Sequence, residues 1–469
     1  MKYNILALIP EIVLLVTIAV AMLAEKFREK ATPKTFYTIS KTGLFLALVA
    51  TIVFYNQSFL PGYYENNSFT TLIKVIISLW TLGCFYLSLR WFLGMDRPSF
   101  RFYTLMTVSF LLLTAAVSAY NLLLLYVLLE SAFLLNYFLI KTEADETTFP
   151  AARNFLIAAV GFAVLGGWGV WVLYDMSGSF DFEAIRKYLM TANVNIRLYM
   201  AAAAILISLL FKIGAAPFHF WTAEAAGNSI LPVSGYLTLV PIFAYYACLI
   251  KLVLQVLMPV YEIFEPVMLG FAAVSVIIGA VGTNSEQNLR RLFDYAALFN
   301  IGVMLAVLAD FDKESVFSSL IYLLVYIMAL SGIYTGFYAF KSKGDYLYML
   351  RDVSGISESR PFIAASMLIF MVSLLGFPPF LGFIGLVSVL NDLVYLRGYW
   401  MIVIVLAGIL MTGYAYLNVI KTLYFDTKMS NFDRADKGIY ICQTVNILLV
   451  VIIVLNPKSV MSGIVKLLW

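Results

Sequence analysis

Charge is scarce in this chain. Only 12% of its 469 residues are Asp, Glu, Lys or Arg, about half the share of an ordinary soluble domain. Histidine occurs once, as His219, so no His-based metal site can be built. The three cysteines, Cys84, Cys248 and Cys442, fall in separate apolar blocks without CxxC spacing, which excludes a disulfide framework and a thiolate metal site and leaves them as packing residues. No Gly-rich phosphate loop and no nucleophile constellation occurs. The net charge of +4 is too small for a nucleic-acid partner. Only Lys2 precedes the first apolar block, and Glu25-Lys26-Phe27-Arg28 follows it where a cleavage site would have small residues, so that block reads as a retained helix.

What remains is apolar: 62% of the residues are hydrophobic and 16% aromatic. A membrane span needs ~20 mostly apolar residues, and such runs lie near 4–24, 35–55, 71–92, 102–119, 122–140, 154–174, 197–228, 231–250, 262–283, 290–309, 315–340, 361–396, 399–420 and 439–456. The fold class is therefore an all-α polytopic membrane protein of about fourteen spans, forming one membrane domain. An even count puts both termini on one side. Lys and Arg concentrate in loops 25–34, 93–101, 141–153, 284–291, 341–360 and 421–438, whereas 56–70 and 310–314 are poor in base. Basic loops face the cytoplasm or matrix, which puts both termini on the opposite, outer face of the membrane.

Spans seven and twelve are long and interrupted, by Gly214-Ala215-Ala216-Pro217-Phe218-His219-Phe220-Trp221 and by Gly376-Phe377-Pro378-Pro379-Phe380-Leu381-Gly382-Phe383. Proline removes a backbone donor and clashes with the preceding turn, so each segment breaks into half-helices whose freed carbonyls must line a polar cavity. The breaks are five spans apart, as expected if spans 4–8 and 9–13 are two copies of a five-helix unit. Five is odd, so the copies are inverted, and interrupted helices at matching places in inverted repeats point to an ion path. The segments are then 1–100 with the first three helices, 101–256 and 257–425 with the repeats, and 426–469 with the last helix and tail.

A charge at the bilayer centre costs ~2.5–3.5 kcal/mol on insertion scales, which makes each buried ionisable group a functional candidate. Glu130 sits near the middle of span five, and Lys212 ends the half-helix before Pro217. Arg153 begins span six and cannot be deprotonated; it either tunes Glu130 or snorkels. His219 either passes protons or caps freed backbone groups. Lys41 and Lys74 lie towards span ends and are expected to snorkel, Glu11 to be a partner contact or buried acceptor, and Asp294 to form a local ion pair with Arg290-Arg291 at the membrane surface.

At these residues the chain resembles the antiporter-like subunits of respiratory complex I, most closely subunit N of bacteria, the second NADH dehydrogenase subunit of mitochondria. The likeness runs from Ala7-Leu8-Ile9-Pro10-Glu11-Ile12-Val13 through Leu129-Glu130-Ser131, Phe211-Lys212-Ile213-Gly214 with Pro217 and His219, Leu231-Pro232-Val233, Asn288-Leu289-Arg290-Arg291-Leu292, Gly376-Phe377-Pro378-Pro379 and Gly382-Phe383-Ile384-Gly385, to Tyr424-Phe425-Asp426. It implies a membrane-arm subunit of a proton-translocating NADH-quinone oxidoreductase. NADH, flavin and iron–sulfur clusters would be bound elsewhere, leaving no cofactor, metal or redox site in this chain. The implied partners are a neighbouring antiporter-like subunit, small membrane-arm subunits and lipid. Glu130 would be the family's fifth-span glutamate and Lys212 its seventh-span lysine, while Arg153 stands where a sixth-span lysine is usual. The chain departs from the family at Ile242 and Leu386, the places of the eighth- and twelfth-span lysines, and at Asn300, a tenth-span histidine position. Hydroxyls of Tyr322, Tyr326, Ser331, Tyr414 and Tyr416 are candidate substitutes in the second half. A relay through Glu130 and Lys212 without completed transfer, an antiporter or membrane-bound hydrogenase subunit, and a structural subunit with a decayed path stay open as alternatives.

Overall fold

The computed structural model describes residues 4–26, 32–95, 100–142, 148–191, 195–310, 313–395 and 398–456. Parts of the basic loops 25–34, 93–101 and 141–153, and the tail 457–469, lie outside the described residues. The chain is almost wholly helical: α1 (Ile9–Lys26), α2 (Pro33–Val53), α3 (Ser68–Met95), α4 (Phe100–Ser118), α5 (Leu122–Ile140), α6 (Thr148–Ser177), α7 (Phe182–Thr191), α8 (Ile196–Lys212), α9 (Leu231–Leu252), α10 (Tyr261–Ser285), α11 (Leu289–Leu308), α12 (Lys313–Phe337), α13 (Ile356–Ser359), α14 (Pro361–Leu374), α15 (Leu381–Tyr395), α16 (Tyr399–Tyr424) and α17 (Lys437–Leu455). Among the described residues 12 helices are long and apolar enough to cross a membrane. Adding α8 and the broken pair α14–α15 reproduces the fourteen expected spans, and the protein is an integral membrane protein.

Local sequence sets the helix ends. Asn121, Asn195 and Asn288 each precede a helix and accept a backbone N–H of its first turn, at 3.1, 2.9 and 3.0 Å, as N-cap residues do. Pro33 and Pro361 stand at first helical positions, where a missing N–H costs nothing. The extra element is α7, a short amphipathic helix that buries Phe182, Ile185 and Leu189 and leaves its charged face out. Its period is legible in the sequence, but at ten residues it is too short for a search for spans to register.

The chain forms two compact units. Of the described residues, the first comprises those up to Ile213 with Pro232–Ile263, the second Gly214–Leu231 with those from Phe264 to Asn456. In the first unit α9 is the central helix, with Trp80 of α3 against Phe243, Ser109 of α4 bonded to Tyr236 at 3.2 Å and Phe133 of α5 against Tyr245. A short hairpin, β1 (Gln57–Leu60) with β2 (Tyr64–Asn66), covers the start of this bundle and bridges Tyr64 to Ala119. In the second unit α12 is central, packing on α11, α14, α15 and α17. A second small hairpin there joins β3 (Lys341–Ser342) to β4 (Asp345–Tyr346).

Both expected breaks are present. Each half-helix ends on a glycine in the left-handed region, Gly214 at φ 75° and Gly376 at φ 70°, which suits a residue without Cβ. Three residues on, each break carries a cis proline, Pro217 and Pro379. The first break continues into a π turn, Trp221–Ala226; the second continues into α15.

Candidate functional site

Glu130 and Lys212 meet in the first unit. Lys212 Nζ donates to Glu130 Oε1 at 2.7 Å, to Ser208 Oγ at 2.9 Å and to the Ser208 carbonyl at 3.3 Å. Ser208 is four residues before Lys212 on α8, one turn back on the same face, and its hydroxyl donates to the same carboxylate oxygen at 3.3 Å. Lys212 is 2% and Glu130 7% exposed. The second carboxylate oxygen, Oε2, is buried and has no hydrogen-bond partner among the described residues. Gly166 on α6 permits this geometry, because a Cβ there would stand 2.7 Å from Ser208 Oγ. The pair borders an apolar recess lined by Tyr126, Gly166, Val170, Ile205 and Leu252, with room for a water molecule. On another side the Phe133 ring lies 5.5 Å from Nζ.

A buried carboxylate and ammonium in contact can exist as an ion pair or, after one proton transfer, as a neutral acid and amine. Low dielectric penalises the charged form when either partner is disturbed. The unpaired Oε2 gives an incoming proton a place to land. Which of the two forms is favoured depends on nearby charge.

The other expected residues fall elsewhere. Arg153 is exposed on α6 and makes no ion pair with Glu130 among the described residues. His219 belongs to the second unit and is half-buried, its ring 5.8 Å from Tyr295. Ile242 is buried in α9, and Leu386 in α15 packs against Gly376; neither can hold a proton. Tyr322, Tyr326, Ser331 and Tyr416 are all buried in the second unit, and Tyr322 donates to Asn300 Oδ1 at 2.8 Å. Tyr414 is 72% exposed. It cannot share a face with Tyr416 two residues on, so it does not join the cluster.

Two expectations are corrected. Lys74 does not snorkel: it is 1% exposed and donates to Glu11 Oε1 at 2.8 Å, Asn66 Oδ1 at 2.8 Å and the Tyr64 hydroxyl at 3.1 Å. The hairpin seals it from the interface. Asp294 is not in a surface ion pair with the neighbouring arginines. It is 2% exposed and accepts from the Tyr334 hydroxyl at 2.8 Å, while Arg290 turns to the Ser229 carbonyl and the Tyr348 ring and Arg291 pairs with Glu286 at 2.9 Å. Sequence reading also passed over Lys251, whose ammonium donates to the carbonyls of Ala116, Val117 and Ala119 at 3.0, 2.7 and 2.5 Å. A cation there satisfies the open C-terminal carbonyls of α4. The signal was a lone lysine inside Leu249-Ile250-Lys251-Leu252.

Broken helices beside a polytopic bundle, with an ammonium and a carboxylate held in contact at depth, define the antiporter-like class of membrane subunits. Residues 119–412 match the NADH:quinone oxidoreductase/Mrp antiporter transmembrane family, and the chain belongs to it. It is 28% identical over 437 residues to NADH-quinone oxidoreductase subunit N of Hydrogenovibrio crunogenus, covering 90% of each sequence. It is 25% identical over 468 residues to subunit N of Thioalkalivibrio sulfidiphilus, covering 97% of this chain and 96% of that one. In fold it resembles a chain of respiratory complex I from Thermus thermophilus, with TM-score 0.82, 21% identity, and 97% and 99% coverage of the two chains. It also resembles a chain of the Mrp complex from Dietzia sp., with TM-score 0.84, 16% identity, and 98% and 95% coverage.

Proposed function

We propose that this chain is the subunit N-type component in the membrane arm of a proton-translocating NADH-quinone oxidoreductase, and that it holds and releases a proton at the Glu130–Lys212 pair. The 2.7 Å contact between these two buried groups carries the reading. Charge changes in neighbouring membrane subunits shift the balance between ion pair and neutral pair. When the pair loosens, Lys212 gives up a proton along the hydrated axis, and Glu130 Oε2 takes the next one from water in the recess. Redox chemistry belongs to other subunits of the complex. Both termini lie on the proton-releasing side, as the basic loops indicate.

The test uses the assembled complex in membranes. Glu130→Gln and Lys212→Ala are expected to lower the protons moved per quinone reduced. Lys212→Arg keeps the charge but cannot release a proton, so it should fail in the same way. Normal pumping in all three, with assembly intact, defeats the proposal. A second reading, that this subunit is structural, draws support from apolar Ile242 and Leu386; unchanged stoichiometry in the same variants would favour it.

A further inference from the structure

The second unit has Leu386 where a lysine would stand after its broken helix, yet it holds a buried acid beside a row of buried phenols. Asp294 on α11 accepts from Tyr334 on α12 at 2.8 Å, and further along Asn300 accepts from Tyr322 at 2.8 Å. Numbers rise on one helix as they fall on the other, so α11 and α12 run antiparallel here. Six residues of α11 separate the two pairs, a rise of ~9 Å. Tyr326 lies between them on α12, one turn from Tyr322. Its hydroxyl is buried, 1% exposed as a residue, and makes no hydrogen bond. It lies within electrostatic reach of Asp294, Tyr334, Tyr322 and Tyr416. Buried hydroxyls are rarely left without a partner, so the Tyr326 oxygen is the place in this row where a bridging water would bind.

We infer that Asp294 is a second proton-holding site of this chain, served by a wire of Tyr334, Tyr326, Tyr322 and bound water. The inference rests on the reading of the chain as a proton-moving subunit and extends it to the second unit. The step balances with no reactant beyond water and its proton. Tyr334 passes its hydroxyl proton to Asp294 Oδ1 and takes one from the water bridging to Tyr326. That water is reprotonated by Tyr326, which takes the Tyr322 proton; Tyr322, whose partner Asn300 Oδ1 only accepts, is reprotonated by a hydronium ion delivered by water at that end of the wire. Every phenol ends as it began, and the carboxylate has become an acid. The reverse order releases the proton. Gly227 gives the carboxylate its place, since a Cβ there would meet Oδ2 at 2.6 Å.

The variants Asp294→Asn, Asp294→Glu and Tyr326→Phe, in membranes carrying the assembled complex, separate this role from a structural one. Asparagine still accepts the Tyr334 hydrogen bond, so a purely structural Asp294 would tolerate it. A proton holder would not. The expected result is loss of proton translocation per quinone reduced in Asp294→Asn and Tyr326→Phe, with quinone reduction retained and Asp294→Glu active. Redox-difference infrared spectra should carry a protonated-carboxyl stretch that Asp294→Asn removes. Full stoichiometry in Asp294→Asn overturns the inference. Should that variant fail to assemble, Tyr326→Phe decides, because it deletes one oxygen that bonds to no described protein group; unchanged pumping there overturns the inference equally. If Glu130→Gln lowers pumping and Asp294→Asn does not, this inference falls while the function proposed above stands. If neither lowers it, both fall.

Discussion

Removing Lys74 alone from the buried Glu11–Lys74 pair should destabilise the first three helices at least as much as removing both partners. Lys74 Nζ spends all its donors on Glu11, Asn66 and Tyr64, and Asn66 in turn donates to the Ala7 carbonyl and accepts from Ser118, each at 2.8 Å. One ammonium thus ties α1, the β1–β2 hairpin, α3 and the end of α4. Lys74→Met leaves a carboxylate buried and uncompensated, at a cost of ~3–5 kcal/mol, and Glu11→Gln leaves the ammonium among neutral acceptors at a cost towards the lower end of that range. Independent losses would sum to ~6–8 kcal/mol. The double variant buries no charge, so its loss should be no larger than that of Lys74→Met alone, a coupling of at least ~3 kcal/mol. Native-state hydrogen exchange of α1 and α3 amides in the purified complex reads the opening free energy directly. Additive losses, or a Lys74→Met protein that exchanges like the parent, would refute the reasoning.

Two further outcomes follow from close packing and from a loop carboxylate. Gly166→Ala brings a Cβ to 2.7 Å from Ser208 Oγ, so α6 and α8 must part at a cost of ~1–3 kcal/mol; thermal inactivation and pumping stoichiometry should fall together, and pumping should be spared if Ser208 does not help hold Lys212. Asp433, in the loop before α17, accepts the N–H groups of Gly344 at 2.7 Å and Lys343 at 2.9 Å, and these backbone donors hold its carboxyl below the usual range. Its folded value lies under its unfolded one, so the clamp is complete above the ordinary carboxylate range and is lost as pH falls through the lowered value. Exchange at the Lys343 and Gly344 amides, compared with Asp433→Asn, should show protection that fades only in acid.

The fourteen spans, both breaks and the Glu130–Lys212 candidates were legible because hydropathy, proline and intramembrane charge are properties of the chain itself. What was not legible depends on what covers a span end. Lys74 looked interfacial by its place near the start of a run, yet the Gln57–Asn66 hairpin closes over it. Asp294 looked superficial beside two arginines, but α11 is buried from its first turn, where Leu289 N donates to the Tyr348 carbonyl at 2.8 Å and Arg290 lies on the Tyr348 ring. Tyr414 shows the opposite error: a phenol in the right span that faces outward, as helical period alone would have told.

The glycine-to-proline spacing occurs twice, while a lysine accompanies only the first copy. Gly376, Pro378 and Pro379 shape their break although a leucine occupies the neighbouring position 386. In the second copy, what bends the helix and what would carry charge are thus set by different residues of one segment, and the bend is kept with no titrating side chain at 386.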